Sequence, residues 1–408
     1  MKSIFKIIFL ICIVTALTFM MASCDLLIDM LSLGEDSTTV ESSDATTTET
    51  GEQEIPNDLP LSEGLEYVVN EDGITCTITG LGTCTDDYIN IPEQIGDYKV
   101  VCIGECAFRR CANISSVMIP EGVTSILFAA FAECENLLQV SIPSSVTTIG
   151  GAVFRGSPKI KKVVIPEGVK TFGEYAFYEC SGLEEVVLPD SITQIGSNAF
   201  YGCSKLAIVN IPRGVASIGS FAFFGCEQLN TVMIPEGVKV IENSTFKNCY
   251  NLVALNFMVG NELTTIEQNA FYSCTSLYIV VLPDTITTIG QYAFYGCANL
   301  MQIELPENLT EMGQGTFAEC SELDHIDVPH GIERIEEGVF AGCTALKFVS
   351  LPNAVQKIGR SAFWSCSDLQ SISYAGTMNE WFSVEKLNGW DDLTPNYEVE
   401  CSDGEIKN

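Results

Sequence analysis

Apolar positions along this chain keep one rhythm from about residue 100 onward. Phenylalanine stands at 108, 131, 154, 177, 200, 223, 246, 271, 294, 317, 340 and 363, a step of 23 residues broken once, between 246 and 271, where it is 25. Proline follows a β-branched residue or leucine at 120, 143, 166, 189, 212, 235, 283, 306, 329 and 352 in the same rhythm. One unit reads L-x-x-V-x-I-P-x-x-V-x-x-I-x-x-x-A-F-x-x-C plus two spacers. V-x-I alternates, so its two apolar residues point inward and the residue between them outward, as in a short strand. The proline has no N–H and ends that strand. A second short extended stretch follows, with glycine at the bend, and A-F-x-x-C turns the chain back as a helical or 3-10 turn. A period this regular predicts a repeat solenoid with one coil per unit. The expected fold is β-rich, with 12 coils between residues 100 and 372. Its V-x-I strands form a parallel sheet on one face, ~4.8 Å apart, giving a rod or arc roughly 55–60 Å long.

The unit between Pro235 and Pro283 departs from the pattern. It carries two extra residues, and Met258 stands where proline is due. The insertion near Met258–Gly260 predicts a bulge from one face, read either as a tolerated slip or as a hinge or contact loop.

Eighteen cysteines are present. Eleven take the same place in the unit: Cys111, Cys134, Cys180, Cys203, Cys226, Cys249, Cys274, Cys297, Cys320, Cys343 and Cys366, with Ser157 in the twelfth place. Equal position predicts equal direction, hence a column entering the core one coil apart. Cβ atoms ~4.8 Å apart and parallel are poorly set for disulfides, which want ~3.8 Å and a twist near 90°. A straight column also converges on no metal ion. The thiols therefore read as packing groups with a weak S–H donor. Cys76 and Cys84 flank a stretch that reads as a hairpin, where a bridge is one possibility. Cys102, Cys106 and Cys111 are spaced C-x3-C-x4-C, a weak metal pattern.

The unit L-x-x-V-x-I-P-x-x-V-x-x-I-x-x-x-A-F-x-x-C resembles the BspA-type leucine-rich repeats of bacterial surface proteins over about two thirds of the chain. Residues 61–99 are similar to that family's N-terminal β cap and 373–408 to its C-terminal cap. Caps are required physically, because an end coil would expose an apolar face and an open strand edge. The resemblance implies a surface location and attachment to host proteins or to other cells.

Residues 1–24 form a separate segment, with Lys2 and Lys6 ahead of an apolar run from Ile7 to Ala22. Sixteen residues are short of the ~20 needed to span a bilayer, so the run reads as an export signal. Ala22-Ser23-Cys24 is similar to a bacterial lipobox, with Met21 where leucine is usual, and this resemblance implies lipidation of Cys24. An ordinary secretory signal is the alternative. Residues 25–60 hold ten acidic and no basic residues, the composition of an extended, disordered tether. A free-thiol column in an exported protein suggests a low-oxygen habitat, because oxidising surroundings pair cysteines.

The chain carries 53 acidic against 20 basic residues, a formal charge of −33. Nucleic acid and anionic lipid both need a positive footprint, so neither is an expected partner; contact with a membrane is expected through the lipid anchor alone. Only two histidines occur, His325 and His330, so Ser-His-Asp or Cys-His arrangements have few routes, and no phosphate loop is present. The expectation is a non-enzymatic protein without cofactor or metal site. Gln302, Glu304, His325 and Asp327 fall on outward positions of successive coils and read as a polar patch or a loose cation site.

The outward sheet positions offer the broadest repeated surface. Met118, Val164, Val187, Ile208, Met233, Ile279 and Val281 make its earlier half apolar, whereas the later half is polar and acidic. Such a row marks either a protein contact surface or strand propensity alone. The expected function is a cell-surface adhesion protein binding a host or neighbouring-cell protein. A glycan-binding envelope module and a passive spacer are the alternatives; of the outward sheet positions only Phe348 is aromatic, which disfavours glycan. The pattern does not specify an oligomeric state.

Overall fold

A computed structural model describes residues 60–171 and 173–407. The export signal, Cys24 and the tether as far as residue 59 lie outside the described residues. The rest is a β-solenoid of about 14 turns with parallel strand pairing from coil to coil. Among the described residues one helix occurs, Met378–Ser383, started by a capping box between Thr377 and Glu380.

Twelve fully buried phenylalanines form the spine. Successive rings stack face to face, with centroids 5.3 Å apart for Phe177–Phe200 and 5.2 Å for Phe200–Phe223. The rhythm survives the two-residue insertion, because Phe246–Phe271 stack at 5.4 Å and 6°. The extra residues loop outward instead of shifting the core. Val259 at the tip is 96% exposed, and buried Asn261 ties the loop down by donating from Nδ2 to the Pro235 carbonyl at 2.9 Å. This is a bulge on a continuous core, with no break in the stack that would serve as a hinge.

The V-x-I strands pair in parallel with a register of one coil, as in Lys162–Val164 with Glu185–Val187. The row is segmented into several short sheets. Strands of two to four residues ended by proline have few donors to spare, and pairing lapses where a strand shortens to two residues, as at Ile208–Val209. A second row, built from two-residue strands such as Gln194–Ile195 and Ser217–Ile218, runs along another face.

The A-F-x-x-C segments are hydrogen-bonded turns, neither helical nor 3-10. In every coil the residues two before and two after the phenylalanine have positive φ, for example Tyr175 (61°) and Glu179 (58°) around Phe177. Left-handed residues two places either side of the phenylalanine cannot propagate a helix. They aim successive N–H groups to one side and carbonyls to the other. Tyr175, Phe177 and Glu179 accordingly donate to the Ser197, Ala199 and Tyr201 carbonyls of the next coil at 3.1, 2.7 and 2.7 Å. This third row of contacts runs in one direction along the solenoid.

The cysteines occupy the inner side of this row. The Cys203 thiol donates to the Phe177 carbonyl of the preceding coil at 3.1 Å, and Cys180, Cys226, Cys249 and their equivalents repeat the contact. Ser157 reproduces it from its hydroxyl at 3.0 Å to Phe131. Ten of the eleven are buried; Cys111, in the first coil, is half-buried.

Both ends are closed by irregular coils. Tyr88–Asn90, within the segment read as the N-terminal cap, already pairs in parallel with Ser116–Met118 and so supplies a first sheet rung. A hairpin of Glu66–Val69 with Thr75–Gly80 covers that end. The stretch between Cys76 and Cys84 is not the hairpin; its strand instead lies between Glu66–Val69 and Tyr98–Ile103, and both cysteines are free and buried. At the other end Trp390 meets Phe363 edge-on at 5.8 Å, and the Gly389, Trp390 and Asp392 carbonyls accept the last three forward N–H groups from Ser361, Phe363 and Ser365.

Removing one ring interrupts the spine on both sides and leaves a cavity. Phe200→Ala is expected to lower stability by about 3–5 kcal/mol, measured by urea denaturation followed by circular dichroism. A loss below about 1 kcal/mol would show that the stack is not a principal support.

Candidate functional site

The V-x-I row presents two outward positions per coil, just before and just after the inward valine, and pairing fixes their neighbours. Val164 lies beside Val187, and Met233 beside Asn256. Val164, Val187, Ile208, Met233 and Val281 are 51%, 40%, 69%, 44% and 53% exposed. Met118 and Ile279 are half-buried and contribute less area. Lys162 and Glu185 pair at 3.0 Å along the same face, a surface contact worth little by itself. Beyond Val281 the row turns to Glu304, Asp327, Ser350 and Ser373.

The polar cluster resolves into local contacts. Gln302 Nε2 donates to Glu304 at 3.5 Å, His325 pairs with its chain neighbour Asp324, and Asp327 accepts from Ser350. Among the described residues no group of three His, Cys, Asp or Glu side chains converges as metal ligands would; this includes Cys102, Cys106 and Cys111. Two shallow clefts of about 230 and 360 Å³ lie along the bends, one beside Lys239 and Glu242 and the other beside Glu174 and Gln194. Each holds one acid and neither holds a histidine.

A family model for the BspA-type leucine-rich repeat region matches residues 87–184, 171–276 and 264–383. The chain belongs to the BspA-type leucine-rich repeat family. It is similar to a leucine-rich repeat protein from Bacteroides ovatus, at 26% identity over 84% of this chain and 99% of that one, with a TM-score of 0.56. It is also similar to a leucine-rich cell surface protein from Faecalibacterium prausnitzii, at 27% identity over 80% and 98%, with a TM-score of 0.48. Likeness to the pneumococcal vaccine antigen PcpA is one of fold, with 17% identity over 82% and 98% and a TM-score of 0.50. No protein with a curated description matches.

In this BspA-type solenoid the turn row carries a second repeated surface, which a reading confined to the sheet positions misses. The residue after the spine phenylalanine is at least partly exposed in most coils, Ala132 and Ala318 being buried, and from the third coil to the ninth these are Arg155, Tyr178, Tyr201, Phe224, Lys247, Tyr272 and Tyr295. The rings stack at 4.7 Å (Tyr178–Tyr201), 4.5 Å (Tyr201–Phe224) and 4.6 Å (Tyr272–Tyr295). Arg155 lies 5.4 Å from the Tyr178 centroid and Lys247 lies 4.1 Å from that of Tyr272. Tyr175, Phe221 and Tyr292, two residues before the spine, stand edgewise or tilted against these rings. The signal was in the motifs themselves, since A-F-Y and A-F-F recur.

All sixteen cysteines among the described residues are free thiols. Burial pushes the thiols of Cys134, Cys180 and Cys366 up to about 12 and those of Cys203, Cys226, Cys274, Cys320 and Cys343 well above their usual range. Such groups are protonated and unreactive at neutral pH. The stability consequence has a definite sign. Below the ordinary thiol range of ~8.5 folded and unfolded chains both hold these protons. Above it the unfolded chain releases them while the folded chain keeps them, so stability falls as pH rises. Each thiol costs up to about 1.4 kcal/mol per pH unit. In oxygen-free buffer the urea midpoint is expected to collapse between pH 8.5 and pH 10. Replacing Cys203, Cys226, Cys297 and Cys320 by serine should make that fall shallower, and an unchanged slope would remove the column as its cause.

Proposed function

We propose that this chain is a bacterial cell-surface binding protein whose sheet face takes up a protein of a host or of a neighbouring cell, and that it catalyses no reaction. The observation that carries this reading is the row of exposed apolar residues from Val164 to Val281, spread over coils held rigid by the spine. Apolar side chains left in water across several consecutive coils cost nothing in folding but become favourable on being covered, at roughly 25 cal/mol per Å². The acidic later half supplies a polar rim of the kind that surrounds a contact core. Membership of a repeat family, the apolar export segment and the acidic tether support display outside the cell, and Cys24 is the proposed lipid attachment point. With so many thiols unpaired, the proposed setting is poor in oxygen.

The experiment is a pull-down from matrix proteins, serum and bacterial surface extracts, followed by affinity measurement on the protein recovered. Val187→Ser, Ile208→Ser and Met233→Ser combined should raise Kd by about 30-fold or more, the scale of a hot-spot cluster, with the thermal midpoint little changed because the three side chains are already exposed. Unaltered affinity would remove this face from the function. A passive spacer would recover no saturable partner at all.

A further inference from the structure

The sheet face has a third exposed column, just ahead of the two that the V-x-I motif defines. It consists of the residue two places before the inward one, and in three successive coils that residue is Val253, Tyr278 and Met301. Strand alternation would turn this position toward the core. The core place is taken instead by the leucine before each of them, Leu252, Leu277 and Leu300, all fully buried. Val253, Tyr278 and Met301 are left 44%, 50% and 41% exposed. The Met301 amide donates to the Tyr278 carbonyl at 2.9 Å, and the Tyr278 hydroxyl reaches the Met301 sulfur at 3.1 Å, so these two side chains lie side by side. Val281, exposed in the same coil as Tyr278, continues the apolar area onto the strand.

Both columns then turn acidic. Asp324 stands next to Met301, its amide donating to the Met301 carbonyl at 3.4 Å. Glu304 lies beside Val281 in the strand pairing, and Asp327 follows Glu304 one unit later. Their side-chain partners within the chain are neutral groups or histidine: Gln302 for Glu304, Ser350 for Asp327 and His325 for Asp324. Among the described residues none of the three is ion-paired to a lysine or arginine, not even Asp324 to Lys347 one coil beyond it. Between residues 248 and 333 the sequence holds eleven acidic side chains and no lysine or arginine. An exposed apolar area and uncompensated negative charge therefore adjoin, in a fixed order along the solenoid. Apolar side chains gain by being covered, and the negative field selects a positive partner and speeds its approach.

We infer that this stretch docks a partner-protein segment in which an apolar cluster has lysine or arginine beside it, the apolar side chains covering Val253, Tyr278 and Met301 and the cations meeting Glu304, Asp324 and Asp327. The inference rests on the sheet face being the contact surface; it adds the charge of the partner and the order in which its two parts lie. A segment of the same shape with acidic side chains in place of the basic ones is repelled by the three carboxylates. Three exposed ion pairs together improve affinity by about ten-fold, an effect that salt screens.

The full chain carrying ¹³C-methyl-labelled methionine is titrated at low salt with the peptide acetyl-Leu-Ser-Leu-Ser-Leu-Lys-Ser-Lys-Ser-Lys-amide. Two control peptides replace its lysines by glutamate or its leucines by serine. The expected result is a saturable shift of the Met301 methyl signal with the first peptide alone, while Met118, near the start of the same face, and Met378, in the C-terminal helix, do not move. Glu304→Gln, Asp324→Asn and Asp327→Asn combined should raise Kd about ten-fold and flatten its salt dependence. Asp86→Asn, Asp87→Asn and Glu93→Gln combined remove the same charge from the N-terminal cap and should leave Kd unchanged. An equal shift with the glutamate peptide, an unmoved Met301 at millimolar peptide, or equal weakening by the two triple variants would each overturn the inference. It also fails separately from the sheet-face reading. A recovered partner that loses affinity with Val187→Ser, Ile208→Ser and Met233→Ser but ignores the changes at Glu304, Asp324 and Asp327 would keep that reading and sink this one.

Discussion

In each coil three backbone N–H groups, at the spine phenylalanine and at the residues two places either side, all point toward the next coil. Left-handed residues at the two outer positions set this turn conformation, in which the three donors face the next coil. Each left-handed non-glycine residue is unfavourable by roughly 1 kcal/mol, and buried unpaired backbone groups would cost more. The geometry is therefore tenable only while a neighbouring coil accepts the donors. That requirement fixes the one-coil register, and the register superimposes phenylalanine on phenylalanine. It also brings each thiol under the carbonyl of the preceding phenylalanine. The same carbonyl accepts the N–H of the cysteine in its own coil, at 3.1 Å for Phe177 and Cys180. Cysteine is small enough for this corner and can still donate, as can Ser157.

The coil, its two strand rows and its inward residues were legible because a 23-residue period repeats them, and alternation within V-x-I tells inside from outside. The turn conformation was not. Left-handed backbone is usually signalled by glycine or asparagine, yet here Ala129, Tyr175, Phe221 and Glu319 adopt it, held by coil-to-coil hydrogen bonds that no single segment encodes. The first sheet rung was hidden for another reason. The hairpin of Gln94–Ile95 with Tyr98–Ile103 follows it, delaying the next motif and pushing Tyr88–Asn90 out of phase. The exposed apolar row was readable from position alone, whereas half-burial of Met118 and Ile279 depends on neighbours in adjacent coils.

The two outward surfaces differ in physical character. The sheet face is a row of aliphatic side chains that gains by losing water and discriminates little among apolar partners. The turn face is a column of rings whose edges meet solvent and whose faces are occupied by one another or by cations. Ring-on-ring contacts of this kind contribute about 0.5–1.5 kcal/mol each beyond burial, so the column also ties coils together on the outside as the phenylalanines do within. The rings of the turn row are thus a stabilising device on the outer side of the coils.

The forward-pointing ladder gives the solenoid a head and a tail. The last coil must find acceptors, and it finds them in the carbonyls of Gly389, Trp390 and Asp392; the first coil needs none from behind. Every internal coil presents the same donors forward and the same acceptors backward. A duplication or deletion of one 23-residue unit therefore leaves both terminal fittings usable, and changes only the length, by ~4.8 Å. Reach in this architecture is an adjustable gauge, set by counting units, while the closing pieces at either end stay as they are.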